Sequence, residues 1–141
     1  MSYQELLNDH ETELNNFSKD KIFYFFGTSE NEILNKMQEK NLKPADLISI
    51  GLSGYILKEY WPEFKEILNR QAKEQKEYTL NNIYEVVKYY CWDYEIEISL
   101  SYSYNDVLTI LCDLNETEIK ENETEIKRAF KDYKKEFYEL N

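Results

Sequence analysis

The feature of the sequence that most constrains the fold is an alternation of apolar and polar residues over residues 92–104, WDYEIEISLSYSY. Apolar or aromatic side chains occupy every second position, and acidic residues or serines lie between them. Successive side chains of a β-strand point to opposite faces, so one face would lie on a hydrophobic core and the other would meet water. The pattern therefore predicts a long half-buried strand over residues 92–103, with a helix over part of the segment as the alternative.

Three further segments have the composition of strands. Residues 21–27, KIFYFFG, are too short and too aromatic for a helix. Residues 47–57, LISIGLSGYIL, indicate two short strands joined by a turn between Gly51 and Gly54. We therefore predict a small antiparallel sheet with strands near residues 21–27, 47–51, 54–58 and 92–103.

Apolar residues at helical spacing occur at both ends of the chain and in its middle. They predict an N-terminal helix over residues 3–17 and a C-terminal helix over about 116–140. Pro62 marks the start of another helix, and Ser29 followed by Glu32 is a capping pattern that marks one more. A chain of 141 residues fits one domain. The predicted fold is α+β, a single compact domain over residues 1–141 in which four to six α-helices cover the sheet.

The C-terminal region contains an internal repeat and a heptad seam. The sequence NETEIK occurs at residues 115–120 and again at 122–127, and each copy places an Asn three residues before a Glu. Two capping boxes therefore compete for one helix start. The apolar residues from Ile126 onward recur at steps of three and four positions, which favours packing onto the sheet or a neighbouring helix over dimerisation. The seam consists of Ile126, Phe130, Tyr133, Phe137 and Leu140.

The charge of the chain restricts its partners. There are 28 acidic and 17 basic residues, a net charge of −11, while a hydrophobic content of 42% argues against disorder. Nucleic-acid binders usually depend on clustered lysine and arginine, so we expect no direct binding of nucleic acid and a basic protein as the partner. The sequence has neither an apolar run long enough to span a membrane nor a signal peptide. We therefore expect a cytoplasmic protein that does not bind membranes.

Residues suited to catalysis are scarce. His10 is the only histidine, and it falls on the apolar face of the predicted N-terminal helix, where a buried structural role is favoured. Gly51 and Gly54 lack the lysine of a phosphate-binding loop and the basic flanks of a KH module. Cys91 and Cys112 are too far apart for a zinc knuckle and indicate reduced, buried thiols. We therefore predict a non-enzymatic protein without a cofactor or a metal site.

Carboxylates and aromatic rings provide the best candidate for a contact surface. Asp93, Glu95 and Glu97 would share one strand face at a spacing of roughly 7 Å. The simplest interpretation is a solvated face, and the alternatives are negative charge presented to a basic protein and a divalent-cation site. Tyrosine and tryptophan are enriched at interface hot spots, so nearby rings would extend the surface. The predicted partner-binding residues are Tyr90, Trp92, Asp93, Tyr94, Glu95, Glu97, Glu116, Glu118 and Glu121.

The order of several segments resembles a known family. The segments are FYFF at residues 23–26, ISIGLSGYI at 48–56, and NDVL at 105–108 after a tyrosine-rich stretch. In this order they resemble a family of small acidic proteins of unassigned function from phages, plasmids and conjugative elements. The resemblance implies an accessory protein of a mobile element. Such proteins include inhibitors of host defences, among them anti-CRISPR proteins that occupy the nucleic-acid site of an effector.

These observations lead to three hypotheses for the function. The first is a non-enzymatic acidic protein-binding module that inhibits or modulates a basic nucleic-acid-handling protein such as a CRISPR effector. The second is a structural or oligomerising accessory protein that uses the C-terminal seam, and the oligomeric state is left open between a monomer and a homodimer. The third is a small enzyme acting on nucleotides, which would need a pocket that gathers His10, a cysteine and two carboxylates.

Overall fold

The computed structural model describes residues 1–25, 29–93, 104–111 and 113–140. These residues contain three β-strands and seven α-helices, so the predicted α+β class with a small antiparallel sheet is confirmed. They divide into two compact units, of which unit 1 comprises Met1–Leu6 and Ala72–Asn141 and unit 2 comprises Leu7–Gln71. The single domain expected over residues 1–141 stays a prediction.

Unit 2 contains the antiparallel sheet. Its strands are β1 (Ile22–Tyr24), β2 (Leu47–Gly51) and β3 (Gly54–Leu57), and β3 lies in the middle. Ile56 of β3 is opposite both Ile22 of β1 and Ile48 of β2. The strands predicted near 47–51 and 54–58 are therefore confirmed to within a residue. The strand predicted over 21–27 is shorter, and residues 26–27 lie outside the described part of the chain.

The β2–β3 hairpin uses the predicted turn. Leu52 and Ser53 both have positive φ angles, 50° and 60°, as a two-residue type I′ turn requires. Gly54 is needed on steric grounds, because a Cβ at this position would lie 2.8 Å from the ring of Tyr24. The missing side chain lets β1 approach β3 closely.

Three longer helices begin or end in unit 2, namely α1 (Tyr3–Ser18), α2 (Glu30–Glu39) and α3 (Trp61–Asn81). The division between the units falls within α1 and within α3. Ser29 caps α2, since its side-chain oxygen accepts a hydrogen bond from the Glu32 N–H at 3.3 Å. Phe17, Ile56 and Phe64 are buried together, and the rings of Phe17 and Phe64 stack at 5.9 Å. These three residues form one buried hydrophobic cluster of unit 2.

Unit 1 is helical in its described residues and is built on the pair α4 (Ile83–Asp93) and α7 (Glu123–Leu140), with α5 (Tyr104–Ile110) and α6 (Glu116–Glu121) beside it. Three contacts define the direction of the pair, in order along α4: Tyr84 with Asp132, Lys88 with Glu136 and Trp92 with Phe137. Because the partners advance together along both helices, α4 and α7 run in the same direction. The buried core between them comprises Ile83, Val87, Cys91, Val107, Leu111, Leu114, Ile126, Ala129, Phe130 and Tyr133.

The first two residues of the strand predicted over residues 92–103 are helical. Trp92 and Asp93 are the last residues of α4, so the strand prediction is wrong for them, and the remainder of that segment lies outside the described residues. Buried residues at helical spacing in α4 extend to Cys91, which favours a helix that continues past the start of the alternation at Trp92. The Trp92 ring then meets the Tyr133 ring edge-on at 4.8 Å, which favours helical packing at this position.

The predicted C-terminal helix over 116–140 is divided at Asn122, which brings the number of described α-helices to seven instead of four to six. Asn122 is the C-cap of α6, with φ −110° and ψ 12°, and it directly precedes α7. The two NETEIK copies therefore begin two successive helices and do not compete for one start. At the other end of the chain, the helix predicted over 3–17 corresponds to α1.

Candidate functional site

The acidic helix α6 is positioned by a complete capping box. Asn115 Oδ1 accepts a hydrogen bond from the Glu118 N–H at 2.8 Å, and Glu118 Oε1 accepts one from the Asn115 N–H at 3.0 Å. Lys76 Nζ lies 3.1 Å from the same carboxylate oxygen. The Asn115 N–H and the Lys76 ammonium together hold the pKa of Glu118 below its ordinary value. Glu118 is therefore a fixed carboxylate that already has partners within unit 1.

Two carboxylates at the start of α7 are paired along the helix. Glu123 Oε1 lies 2.6 Å from Lys127 Nζ. Glu125 accepts two hydrogen bonds from the Arg128 guanidinium, at 2.9 and 2.7 Å. Each pairing lowers the pKa of its carboxylate. Exposed pairs of this kind contribute little to stability, so a cation from a binding partner could replace them at small cost.

Glu116 and Glu121 are the carboxylates of α6 that lack such pairing. Both side chains are exposed, and neither forms an ion pair with the described part of the chain. The helix ends directly after Glu121, where the Asn122 side-chain amide donates a hydrogen bond to the Glu118 carbonyl oxygen at 2.8 Å. Helix α6 therefore presents two uncompensated negative charges to solvent, one at each end.

A groove lies beside Glu116. It has a volume of about 440 Å³, and its lining among the described residues consists of Leu108, Glu116, Ile119, Lys120 and Glu123. Leu108 and Ile119 also pack against the buried core of unit 1, which fixes the apolar part of the lining. The other three side chains are charged, two negatively and one positively. The groove thus combines a fixed apolar surface with acidic edges.

Negative charge is concentrated in unit 1. By sequence, unit 1 contains 17 acidic and 9 basic residues, a net charge of −8, whereas unit 2 contains 11 and 8, a net charge of −3. The segment 113–125 alone contains six acidic residues and one basic residue. A field of this sign attracts basic partners and repels the phosphates of nucleic acid.

The predicted contact surface is only partly assembled. Glu116, Glu118 and Glu121 lie together on α6, whereas Trp92 and Asp93 lie at the end of α4. The Trp92 ring contacts the C-terminal half of α7, roughly 15 Å along that helix from its start, where α6 ends. The three predicted residues outside the described part of the chain are Tyr94, Glu95 and Glu97.

Tyr90 belongs to an internal hydrogen-bond network. Its hydroxyl is hydrogen-bonded to the Tyr3 hydroxyl, and Gln75 Nε2 donates to both, at 2.8 Å to Tyr3 and 3.3 Å to Tyr90. Burial and the bond to Tyr3 raise the pKa of Tyr90 well above its ordinary value. Glu85 accepts hydrogen bonds from the Tyr3 N–H at 2.9 Å and from the Tyr78 hydroxyl at 2.5 Å. The network therefore holds the first residues of the chain within unit 1.

Leu108, Ile119, Lys120 and Glu123 line the groove but are absent from the predicted site residues. A comparison of the two repeat copies could have indicated Glu123, because it occupies the position that Glu116 has in the first copy. Leu108 carries no such signal, since its place beside α6 depends on how the helices pack. The hydrogen-bond network of the tyrosines likewise could not be predicted from the spacing of residues in the sequence.

The two described residues considered for catalysis, His10 and Cys91, lie in different units. His10 is buried in unit 2, as its place on the apolar helix face predicts, and its carbonyl oxygen accepts a hydrogen bond from Gln71 Nε2 at 3.1 Å. Cys91 is the predicted buried thiol, and burial in unit 1 raises its pKa to about 12, so it stays protonated at neutral pH. Cys112 lies outside the described residues.

Among the described residues, no group of three or more His, Cys, Asp or Glu side chains could hold a metal ion. None of the described helices combines the length and the apolarity needed to cross a membrane. Comparisons of the chain with protein-family models, with curated proteins and with solved structures found no significant match.

Proposed function

We propose that this chain is a non-enzymatic acidic protein-binding module that inhibits or modulates a basic nucleic-acid-handling protein. The observation that carries the proposal is a pair of exposed carboxylates on α6, Glu116 and Glu121, which form no ion pair with the described residues and belong to a unit with a net charge of −8. Complementary charge steers association and selects partners, and it does so most strongly when the charges stand on a fixed element. The capping box of α6 supplies that fixed position.

The mode of action follows from the chemistry of the partner. A protein that handles nucleic acid has a channel lined by lysine and arginine, which bind phosphates. Carboxylates that enter such a channel take the place of phosphates and prevent the nucleic acid from binding. The resemblance of the chain to accessory proteins of mobile elements supports a host-defence effector, such as a CRISPR effector, as a partner of this kind.

The two other hypotheses have less support in the described residues. An oligomerising protein that uses the C-terminal seam needs the seam exposed, but Ile126, Phe130 and Tyr133 are buried within unit 1. Only Leu140, at the end of the seam, is largely exposed. A nucleotide-processing enzyme needs a reactive group in a pocket, and the Cys91 thiol is buried and protonated.

Capture from a bacterial lysate followed by a salt titration tests the proposal. The immobilised protein is incubated with a nuclease-treated lysate, so that nucleic acid cannot bridge, and bound proteins are eluted with rising NaCl. We expect basic proteins to elute as the Debye length falls from about 10 Å to about 3 Å between 0.1 and 1 M salt. The eluted partner should lose its nucleic-acid binding when the protein is added back.

A matched pair of variants makes the test specific. The double variant Glu116→Lys/Glu121→Lys reverses the charge of the first and last residues of α6, and Glu30→Lys/Glu39→Lys does the same for α2 in unit 2. The first variant should lose capture and the second should retain it. Capture that ignores ionic strength, or that both variants reduce equally, would rule out an electrostatic partner surface on α6.

A further inference from the structure

We propose that the groove between α5, α6 and the start of α7 is the docking site for a lysine- or arginine-rich protein segment that inserts one large apolar side chain. This inference rests on the proposed function and specifies the partner segment that the acidic module recognises. It requires two properties of the groove, an apolar surface that is already in place and edges whose charge selects a basic occupant.

The apolar surface is formed by Leu108 of α5 and Ile119 of α6. Both side chains are half-buried, and both pack against the core of unit 1, so they hold their positions without a ligand. The groove volume of about 440 Å³ falls within the roughly 300–1,000 Å³ typical of ligand pockets. A large apolar side chain placed against these two residues would remove apolar surface of both molecules from water.

The edges of the groove select a positive charge. Glu116 has no ion-pair partner in the described part of the chain. Glu123 is paired with the exposed Lys127 and is also attracted by Lys120. Lys120 is the single cation among the described residues that line the groove. A lysine or arginine that flanks the inserted apolar residue can therefore pair with Glu116 without displacing an existing partner.

Charge also argues against other occupants. A second copy of the chain would bring the acidic segment 113–125 against an equally acidic groove, where like charges repel. Nucleic acid would place phosphates beside Glu116 and Glu123, which is unfavourable for the same reason. A basic protein segment with an apolar residue satisfies both the lining and the edges.

Synthetic peptides of defined sequence test the inference by fluorescence anisotropy. The probe has a central leucine flanked by lysines, and its companions carry serine in place of the leucine or glutamate in place of the lysines. We expect the leucine-to-serine change to weaken binding about tenfold or more, because the buried side chain is lost. The glutamate peptide should not bind.

Substitutions in the protein locate the binding. Glu116→Lys should weaken the lysine–leucine peptide about fivefold to tenfold, whereas Glu30→Lys, at the first position of α2, should leave it nearly unchanged. Lys120→Glu should strengthen binding, because it removes the one cation of the lining. Circular dichroism spectra of all three variants check that the helices are retained.

The outcomes separate the inference from the proposed function. If the leucine and serine peptides bind equally and Glu116→Lys behaves like Glu30→Lys, the groove is not the docking site, although a basic partner can still bind elsewhere on unit 1. If no lysine peptide binds at low salt, the inference is wrong, and salt-sensitive capture of a basic protein from the lysate still decides the proposed function separately. Concentration-dependent self-association that Glu116→Lys abolishes would identify a second copy as the occupant and overturn the inference.

Discussion

At the scale of single residues, Glu85 connects three parts of unit 1. Its two carboxylate oxygens accept hydrogen bonds from the Tyr3 N–H and from the Tyr78 hydroxyl, and Tyr78 also donates to the Met1 carbonyl oxygen at 3.1 Å. The Tyr3 ring is almost fully buried and stacks on the Tyr78 ring at 5.6 Å. One carboxylate thus orients the buried aromatic residue that anchors the start of α1.

We expect Glu85→Ala to destabilise the protein. The substitution leaves the Tyr3 N–H without its acceptor and removes the shorter of the two hydrogen bonds of the Tyr78 hydroxyl. Because both lost bonds are partly buried, we expect a cost of about 1–3 kcal/mol. Urea denaturation followed by circular dichroism measures the change in the free energy of unfolding. The control is Glu77→Ala, on α3, whose carboxylate lies 4.0 Å from Lys73 and is well exposed.

The control should change the free energy of unfolding by less than about 0.5 kcal/mol, as is usual for surface substitutions. Equal stability of the two variants would mean that the Glu85 hydrogen bonds add nothing to the fold. A loss confined to Glu85→Ala supports the anchoring role.

At the scale of secondary-structure elements, the NETEIK repeat produces two helices by local chemistry. The first copy forms a complete capping box, and the second begins α7 after the break at Asn122. Helix α7 then gains its stability from tertiary packing, because its seam faces α4 and the core. The short α6 has little packing of this kind and depends on its cap.

The two halves of the capping box should respond differently to pH. Asn115→Ala removes an uncharged acceptor and should cost about 1 kcal/mol at any pH, whereas Glu118→Gln removes a charged partner of the Asn115 N–H and Lys76. The pKa of Glu118 is lower in the folded state. Its contribution is therefore present above the ordinary carboxylate pKa and is lost as the pH falls through the folded value.

Urea denaturation at neutral pH and near pH 3 checks this difference. Near pH 3, a carboxylate with an unperturbed pKa of about 4.3 is mostly protonated. We expect the destabilisation by Glu118→Gln to shrink at the lower pH and that by Asn115→Ala to persist. A constant effect of Glu118→Gln at both pH values would contradict a charge-based contribution.

At the scale of the whole molecule, the excess of negative charge opposes folding at low ionic strength. The net charge is −11, and most of it belongs to unit 1. Self-repulsion of this kind destabilises compact states and is screened by salt. The ion pairs of Glu118, Glu123 and Glu125 act in the opposite direction, but exposed pairs are weak.

We therefore expect added NaCl to raise the melting temperature at neutral pH by a few degrees. A thermal melt near pH 4.6, where the sequence pI gives no net charge, is the control, and there the salt effect should largely vanish. A melting temperature that falls with salt at neutral pH would mean that the ion pairs outweigh the repulsion.

Local chemistry made much of the fold predictable. The β2–β3 hairpin follows from a turn between two short apolar runs, and the starts of α2 and α6 follow from Ser29 and Asn115. Each of these features depends on residues a few positions apart. The acidic residues of α6 could be predicted as contact residues from the sequence, because they directly follow a recognisable helix start.

The remaining features depend on packing between distant segments. The alternation after Cys91 predicted a strand, yet α4 continues through Asp93, because the buried stripe of α4 and the contact of Trp92 with α7 favour a helix there. The sequence predicts Tyr90 as a partner-binding residue, and in the structure its hydroxyl is hydrogen-bonded to the Tyr3 hydroxyl, 87 residues earlier in the sequence. Periodicity within one segment carries no information on such contacts.

The sequence alone determined the strands of the hairpin, the starts of α2 and α6, the acidic charge and the scarcity of catalytic groups, because each depends on composition or on neighbouring residues. Only the tertiary structure decided the end of α4, the hydrogen bond between the Tyr90 and Tyr3 hydroxyls, and the groove between Leu108 and Ile119. The physical reason is that burial of apolar surface is shared among elements distant in sequence. Which helices bury their apolar surfaces against one another depends on how the whole unit packs and not on any one segment.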